Sequence, residues 1–366
     1  MSKHINMVLK ATTVITGAYL LIANDSQALE GWNLQLEPMY LEMGGANTHQ
    51  STVKTTMANS QFSELPISET KNFHYDGNVT FRGQLEYKPS DWGIGLSGWW
   101  FDAQDSLSQN ILSPKVSGYV DSNGNNAFTS VSTQVNSRAF SLSVPASSSG
   151  GLVRTSANSN ISVWNLDAYA IKTVGDFDNG QINLTFGVKI GGITNTGGES
   201  YSGTPMTYDY GVFSFTDNSI GTASYSAKAN IMAGPSIGIQ GHGKHENHRL
   251  EGLISQSVLI GNLNRDVFAS YEYSTQFAFN YYGQSYQYGY SYADYRNSSN
   301  SETIAIPVTD LKVKYSYDVT ENLSLGLGVF ASIWVDTPAY PRVQISNEKY
   351  NTLVFYGGLS SISLKF

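Results

Sequence analysis

Apolar and polar residues alternate in ten separate segments of the chain. In the clearest segment, Val79, Phe81 and Leu85 fall on one side, and Arg82 and Glu86 fall on the other. A period of two residues is typical of a β-strand. The sequence therefore predicts an all-β protein with ten strands, at about 32–40, 79–88, 92–100, 164–171, 182–190, 227–240, 249–260, 310–318, 323–333 and 353–366.

The connections between these strands alternate between long and short. The long connections lie at about 44–76, 102–160, 194–221, 262–302 and 335–350, with turns of a few residues between them. An up-and-down membrane barrel has short periplasmic turns, longer extracellular loops and an even number of strands. A Greek-key sandwich has no reason to sort its connections by length. The pattern predicts a transmembrane up-and-down antiparallel β-barrel.

Aromatic residues at the strand ends agree with this prediction. Trp32 and Trp92 lie next to the short turns, and Trp100 and Trp164 lie toward the long connections. Membrane barrels carry two such girdles, one at each interface. On this interpretation the apolar side of each strand faces lipid and the polar side faces the lumen.

The amino terminus predicts export. Lys3 and Lys10 precede an apolar run from Ala11 to Ala23, which is followed by the small-x-small sequence Ser26-Gln27-Ala28. This order is typical of a secretory signal peptide. An anchor helix is the weaker alternative, because the run falls short of the roughly 20 residues that a membrane span needs. We therefore expect residues 1–28 to be cleaved and residues 29–366 to form a single barrel domain.

Composition narrows the class further. Charged residues make up only 14% of the chain, whereas Gly numbers 35 and Tyr numbers 24. An exported chain of this kind, without long apolar helices, is expected in the outer membrane of a Gram-negative bacterium. The formal net charge of −8 gives no support to nucleic-acid binding, which needs a basic patch. The absence of cysteine excludes disulfide bonds and thiolate metal sites.

Two resemblances follow from the strand patterns. The last strand ends on Phe366 with no residue beyond it, and this ending resembles the closing strand that the outer-membrane assembly machinery recognises. Several segments resemble the Legionella-type major outer membrane protein family of pore-forming barrels; they are 163–167, 233–238 leading into 250–261, 306–317, and 323–335 with the closing strand. This resemblance implies a porin-like role and no catalytic site. It also implies outer-membrane lipid and lipopolysaccharide as the surroundings.

A porin-like role makes the charged residues on the polar sides candidates for a pore lining. Charges of both signs in a narrow lumen can pair across it and can select solutes. A ten-stranded barrel is only slightly wider than the eight-stranded kind, so a plugged lumen stays open as an alternative. The candidate pore-lining residues are Arg82, Glu86, Lys88, Asp167, Lys189, Lys228, Arg249, Glu251, Asp310, Lys312, Lys314 and Asp318.

Other motifs carry less weight. The segment 93–98 matches G-x-G-x-x-G, but it lies inside a strand and no helix follows, so we expect no nucleotide site. His242, His245 and His248 share one turn without a recognised metal-binding spacing, and we predict neither a metal nor a cofactor. His74, Asp76, Asp102 and Asp105 lie near the predicted outer rim, where an omptin-like enzyme would carry its site. No motif positions a nucleophile there, so we expect no enzyme.

The predicted loop 262–302 is crowded with tyrosine, including Tyr286, Tyr288, Tyr290, Tyr292 and Tyr295. Tyrosine offers large amphipathic contact area at low entropic cost, as in the recognition loops of antibodies. An adhesin or receptor is therefore the alternative to the pore. The same segment can also form two strand extensions above the membrane, or an added hairpin that would make twelve strands. The sequence leaves the solute and the oligomeric state open.

Overall fold

The computed structural model describes residues 31–45, 49–57, 68–113, 119–120, 126–127, 131–137, 141–145, 151–203, 206–209, 213–282, 284–337 and 351–366. The predicted signal peptide and most of the predicted loop 335–350 lie outside these ranges. Within them, no helix is long and apolar enough to cross a bilayer.

We number the strands in chain order. They are β1 (Trp32–Gly44), β2 (His49–Met57), β3 (Ser68–Asn72), β4 (Asn78–Tyr87), β5 (Trp92–Ser113), β6 (Tyr119–Val120), β7 (Asn126–Ala127), β8 (Val131–Ser137), β9 (Ser141–Pro145), β10 (Gly151–Phe177), β11 (Gly180–Gly203), β12 (Met206–Asp209), β13 (Phe213–His245), β14 (His248–Tyr281), β15 (Gln284–Asp318), β16 (Leu323–Thr337) and β17 (Asn351–Lys365).

Ten of these strands form a closed ring in the order β1-β4-β5-β10-β11-β13-β14-β15-β16-β17. All neighbours are antiparallel, and the pairing of β17 with β1 closes the ring. The predicted ten-stranded up-and-down barrel is thereby confirmed. Among the shorter strands, β3-β2-β8-β9 form a separate sheet, β6 pairs with β7, and β12 pairs with β13.

Both ends of the described barrel chain meet at the same rim. The backbone N–H of Gly31 donates to Phe366, and the N–H of Phe366 donates to the carbonyl oxygen of Trp32. Short turns lie at this rim, at 88–91, 178–179, 246–247 and 319–322, and we call it the turn end. The opposite rim, where the strands of the longest hairpins extend, is the loop end.

The outer face of the barrel carries the apolar side chains that the alternation assigns to it. Leu250, Leu327 and Val329 are 58, 68 and 59% exposed, whereas Arg82 and Lys312 point inward and are buried. The exposed apolar side chains form a continuous band around the ring, which we call the apolar belt. Only a bilayer makes such a band favourable, so the predicted polarity, with lipid outside and polar groups inside, is confirmed.

The strands are longer than the alternation predicts. Most of the predicted loops 194–221 and 262–302, and both ends of the predicted loop 102–160, belong to strands that continue past the belt, with β14 and β15 reaching Tyr281 and Gln284. The segment 262–302 is therefore a pair of strand extensions, and it adds no strand to the ring. The sequence pattern missed the far ends of β14 and β15 because a strand with water on both faces has no apolar side to mark its period.

One prediction in β13 is wrong. The sequence places Ala227 and Ala229 outward and Lys228 inward, whereas the structure buries both alanines and exposes Lys228. The pairing with β11 and β14 shifts register between Lys228 and Met232 because β13 contains a bulge there. A bulge exchanges the two faces of a strand, so one continuous period cannot describe both sides of it. Lys228 is therefore not a lining residue.

Candidate functional site

The lumen within the apolar belt contains a set of paired charges, which we call the lumenal charge network. Its positive members are Arg82, Lys189, Arg249, Lys312 and Lys314, and its negative members are Glu37, Glu86, Asp167, Glu251 and Asp310. Each member projects inward because it alternates with an apolar residue that faces lipid.

Glu37 on β1 is the centre of the largest part of this network. Its Oε2 accepts a hydrogen bond from Arg82 Nη1 at 2.5 Å, and its Oε1 accepts one from Lys312 Nζ at 3.0 Å. Lys314 Nζ lies 3.8 Å from the same Oε1 and donates to Gln35 Oε1 at 3.0 Å. Because β15 is three strands from β1 around the ring, the lysine contacts cross the lumen.

A second pairing crosses the lumen from β11. Lys189 Nζ donates to Asp310 on β15 and lies 3.6 Å from Asp167 on β10. Ser332 on β16 donates to the other oxygen of Asp310 at 2.5 Å, and Ser236 donates to Asp167 at 3.1 Å. The two carboxylates therefore share one lysine.

Glu86 accepts hydrogen bonds from neutral side chains nearer the turn end. Its Oε1 accepts from Gln84 Nε2 at 2.8 Å, from Tyr169 Oη at 2.9 Å and from Gln240 Nε2 at 3.3 Å. Lys88, the next inward residue, donates to Gln181 and Asn183 on β11. The contacts with Gln240 on β13 and with Gln181 and Asn183 on β11 again cross the lumen.

Five charges at the centre of this network are shielded from water. The side chains of Glu37 and Lys314 are 0% exposed, and those of Lys189, Arg82 and Lys312 are 1, 4 and 5% exposed. A water-filled channel past these groups would leave them accessible, and charged side chains are almost never fully buried unless they are paired. The lumen is therefore filled at this level.

Small residues make room for the long ones. Inward positions on the strands between the charged groups carry serine, including Ser97, Ser257, Ser332 and Ser361, all of which are buried. Long side chains from β1, β4, β11 and β15 occupy the space that these serines leave. Small side chains on one part of the wall thus face long side chains on another, as a barrel of this width requires.

Above the network, toward the loop end, the lumen is filled with apolar side chains. Trp99 on β5 packs edge-on against Phe330 of β16 at 5.7 Å and lies 5.5 Å from Phe355 of β17. Phe101 packs against the same Phe355 at 5.1 Å, and Trp334 is fully buried beside them. The alternation did not reveal this apolar plug, because it assigned the apolar residues mainly to the lipid face.

Below the network, toward the turn end, the lumen opens into a cavity of about 360 Å³. Its wall includes Glu86, Lys88, His242, Arg249 and Lys365. Lys312 and Glu251 of the network also line this cavity. Solvent therefore enters from the turn end and is stopped within the belt.

The structure places the predicted lining residues as follows. All of them except Lys228 project to the interior. Asp318 lies at the turn end, where it pairs with Lys244 at 2.9 Å and accepts a hydrogen bond from Ser324 at 2.6 Å. Burial raises the pKa of Asp318, but the hydrogen bonds from Ser324 and Lys244 and the charge of Lys365 outweigh it and lower that pKa to about 2.

The prediction omitted Glu37, although it connects the most charges. Glu37 alternates with Leu36, which marks it as inward, but the neighbouring Pro38 made this strand the least regular of the set. The prediction also omitted Gln35 and Gln84, because it considered only charged side chains. Their position on the polar side of each strand is the signal that could have found them.

The other candidate groups make the following contacts. The His74 backbone N–H, not its ring, contacts Asp105, and Asn78 donates to the backbone of Asp102. His248 Nδ1 forms a hydrogen bond with the Tyr315 hydroxyl. Among the residues that the structure describes, no three His, Asp or Glu side chains are grouped to hold a metal ion.

The tyrosines of β15 form an ordered row beyond the belt. Tyr286, Tyr288, Tyr290 and Tyr292 lie two residues apart on one face of the strand and are 38, 62, 59 and 48% exposed. Phe279 of β14 stacks on the ring of Tyr286 at 5.0 Å with an angle of 12° between the planes. We call these four residues the tyrosine row.

No protein-family model matches the sequence, and no curated protein matches it. Among solved structures, the chain is similar to the outer membrane protease OmpT of Escherichia coli, at 13% identity with a TM-score of 0.36, covering 91% of this chain and 97% of that one. It is also similar to the toluene transporter TodX of Pseudomonas putida, at 10% identity with a TM-score of 0.23 over 92 and 90% of the chains. The toluene transporter TbuX of Ralstonia pickettii gives 10% identity and a TM-score of 0.24 over 94 and 93%.

These values are too low to carry an activity from any of the three proteins. The assignment depends instead on the closed antiparallel ring, the apolar belt around it and the polar groups inside it. On that evidence, the chain is a transmembrane up-and-down β-barrel of ten strands.

Proposed function

We propose that this protein is a recognition protein of the Gram-negative outer membrane, with its turn end in the periplasm and its loop end at the cell surface. Short turns on the periplasmic side and long extensions outside are the arrangement found in such barrels. The proposal has two supports, which are the filled lumen and the exposed tyrosine row. The row is the observation that carries it.

The tyrosine row has the properties of a binding surface. Its rings are exposed on one face of a regular hairpin, so their positions are set by the strand geometry and little order has to be gained on binding. Each ring offers an apolar surface and a hydroxyl group. A row of this kind suits a partner that presents flat apolar surface together with hydrogen-bonding groups.

Binding to defined surfaces tests the proposal. The purified protein would be applied to an array of immobilised oligosaccharides and extracellular-matrix proteins. A variant with Tyr286, Tyr288, Tyr290 and Tyr292 replaced by serine should lose the binding that the native protein shows. Tyr295→Ser is the matched control, because Tyr295 is 63% exposed on the opposite face of β15. Absence of binding throughout the array, or equal loss in both variants, would contradict the proposal.

A narrow pore is the second candidate, and the turn-end cavity favours it. The cavity gives water access to Lys312 and Glu251, so displacement of the network and of the apolar plug would connect it to the loop end. The resemblance to the Legionella-type family of pore-forming barrels also supports this candidate. The filled lumen argues against a pore that is open at all times.

Planar-bilayer recordings separate the two candidates. On the recognition proposal, the refolded protein gives no current above the lipid background, while its heat-modifiable gel mobility shows that it is folded. Stepwise currents of uniform size would support the pore instead. Neither candidate includes a catalytic step, and peptidase activity that disappears in Asp102→Ala would overturn that part of the proposal.

A further inference from the structure

The outer wall of the barrel changes from apolar to polar side chains at the loop-end border of the apolar belt. Trp100 pairs with Trp164, and both rings belong to the belt. Two residues further toward the loop end, Asp102 pairs with Ser162. From this border onward the outward positions of β5, β10, β11, β13, β14 and β15 are mostly hydroxyl and amide side chains. We call this surface the hydroxyl face.

One complete row shows how regular the hydroxyl face is. The row crosses five neighbouring strands in register and consists of Ser108, Ser156, Ser200, Thr222 and Ser270. The residues between them along the strands, such as Ala157, Ala223 and Ala269, are buried on the inner side. The five hydroxyl groups therefore all point outward, about 4.8 Å apart from strand to strand.

The height of this face identifies what lies beside it. From Asp102 to Ser108 the strand advances roughly 20 Å, which is about 15 Å along the membrane normal at the usual tilt. The headgroup layer of a phospholipid leaflet is only about 5–8 Å deep. The row at Ser108 thus stands above the phospholipid headgroups. At that height, the only part of a lipid that can reach the barrel wall is an attached sugar chain.

The chemistry of the face also fits sugars. Ser156 and Ser200 form a hydrogen bond at 2.7 Å, as do Thr222 and Ser270. Each hydroxyl has one donor and two acceptor sites, so these pairs keep capacity for an outside partner. The positive side chains Arg154 and Lys228 lie on different strands, which is unlike the basic clusters that bind phosphate.

We infer that the hydroxyl face binds the sugar chains of the glycolipid in the surrounding leaflet by direct hydrogen bonds. The inference depends on the proposed orientation of the loop end toward the outside of the cell. It does not depend on whether the protein is a receptor or a pore.

Site-specific labelling tests where the sugars lie. The chain has no cysteine, so Ser156→Cys introduces a unique thiol on the hydroxyl face. Ser298→Cys is the matched control, because Ser298 is exposed on the opposite face of β15. A membrane-impermeant maleimide would be added to whole cells whose glycolipid carries either complete or truncated core sugars. We expect labelling of S156C to be several-fold slower with complete sugars and labelling of S298C to be equal in both strains.

Thermal unfolding tests whether the sugars form hydrogen bonds with the row or only lie close to it. In bilayers of purified glycolipid, complete core sugars should raise the Tm of the native protein by about 2–4 °C over truncated ones. Replacing the five hydroxyl residues of the row by alanine, with valine for Thr222, should remove most of that rise. Ser298→Ala should keep it.

The possible outcomes are distinct. Equal labelling rates for S156C in the two strains would overturn the inference, and so would a rise in Tm that survives the loss of the row. Failure to label either thiol in cells with truncated sugars would instead contradict the orientation given under the proposed function. If the row variant does not fold, the single-cysteine comparison still decides the question.

Discussion

At the scale of single residues, the interior depends on one carboxylate that three cations share. Glu37 contacts Arg82 and Lys312 directly and lies near Lys314, and all four side chains are buried. Removing one member of a buried ion pair leaves an uncompensated charge, which is costlier than losing the attraction alone. The sequence placed the cations inside but could not show that they meet at Glu37, because their strands are distant in the chain.

Glu37→Gln should therefore destabilise the barrel by about 3–5 kcal/mol. The measurement is the urea midpoint of the protein refolded in lipid vesicles. Glu42→Gln is the matched control, since Glu42 lies on the same strand and is exposed. A midpoint shift no larger than that of the control would show that the network contributes little to stability.

Asp318 predicts a pH dependence at the turn end. Its pKa is lowered from 3.8 to about 2, so its ionised form is stabilised by folding. This contribution is complete above the unfolded pKa near 4 and is lost as the pH falls toward 2. The Tm of the native protein should drop across that window, and the drop should be smaller in Asp318→Asn. Parallel curves for both proteins would contradict the assignment.

At the scale of elements, the alternation predicted the facing of nearly every strand inside the belt. It failed in the bulge of β13, where the two faces of the strand exchange, and in the extensions of β14 and β15, which lie beyond the lipid. It also missed the apolar plug, because Phe330 and Phe355 sit between lipid-facing neighbours and leave no polar side to the pattern. The lengths of the connections, in contrast, predicted the topology correctly.

The seam between β1 and β17 gives a prediction about an element. A Cβ atom at Gly357 would overlap the carbonyl oxygen of Tyr40 on β1, whereas one at Gly358 would meet nothing within 4 Å. Gly357→Ala should cost about 1–3 kcal/mol by overpacking at the closure of the ring, and Gly358→Ala should be nearly neutral. The fraction of heat-modifiable protein after refolding measures both. Equal fractions would mean that the strands shift without penalty.

At the scale of the whole molecule, closure of the ring satisfies the backbone groups that a sheet edge would expose to lipid. The last residue takes part in this closure through its backbone, which bonds to Gly31 and Trp32. The ring of Phe366 is not needed for these bonds. Strand pairing by Phe366 is therefore separate from recognition by the assembly machinery, which stays a prediction.

Phe366→Ala should refold in vitro like the native protein but reach the outer membrane in lower amounts in cells. Deletion of Phe366 should impair both, because it also removes the two backbone hydrogen bonds. The measurements are refolding yield into vesicles and the amount of folded protein in isolated outer membranes. Normal assembly of the alanine variant would show that the aromatic ring is not a recognition signal.

The filled lumen has a consequence for the organism that makes this protein. A cell that displays many copies of an open channel admits antibiotics and bile salts along with nutrients. On the recognition proposal, with Lys314 and Trp334 sealed from solvent, this leakage does not limit the copy number. High expression should leave the minimum inhibitory concentrations of large hydrophilic antibiotics unchanged, so the surface can be densely covered without weakening the envelope as a barrier.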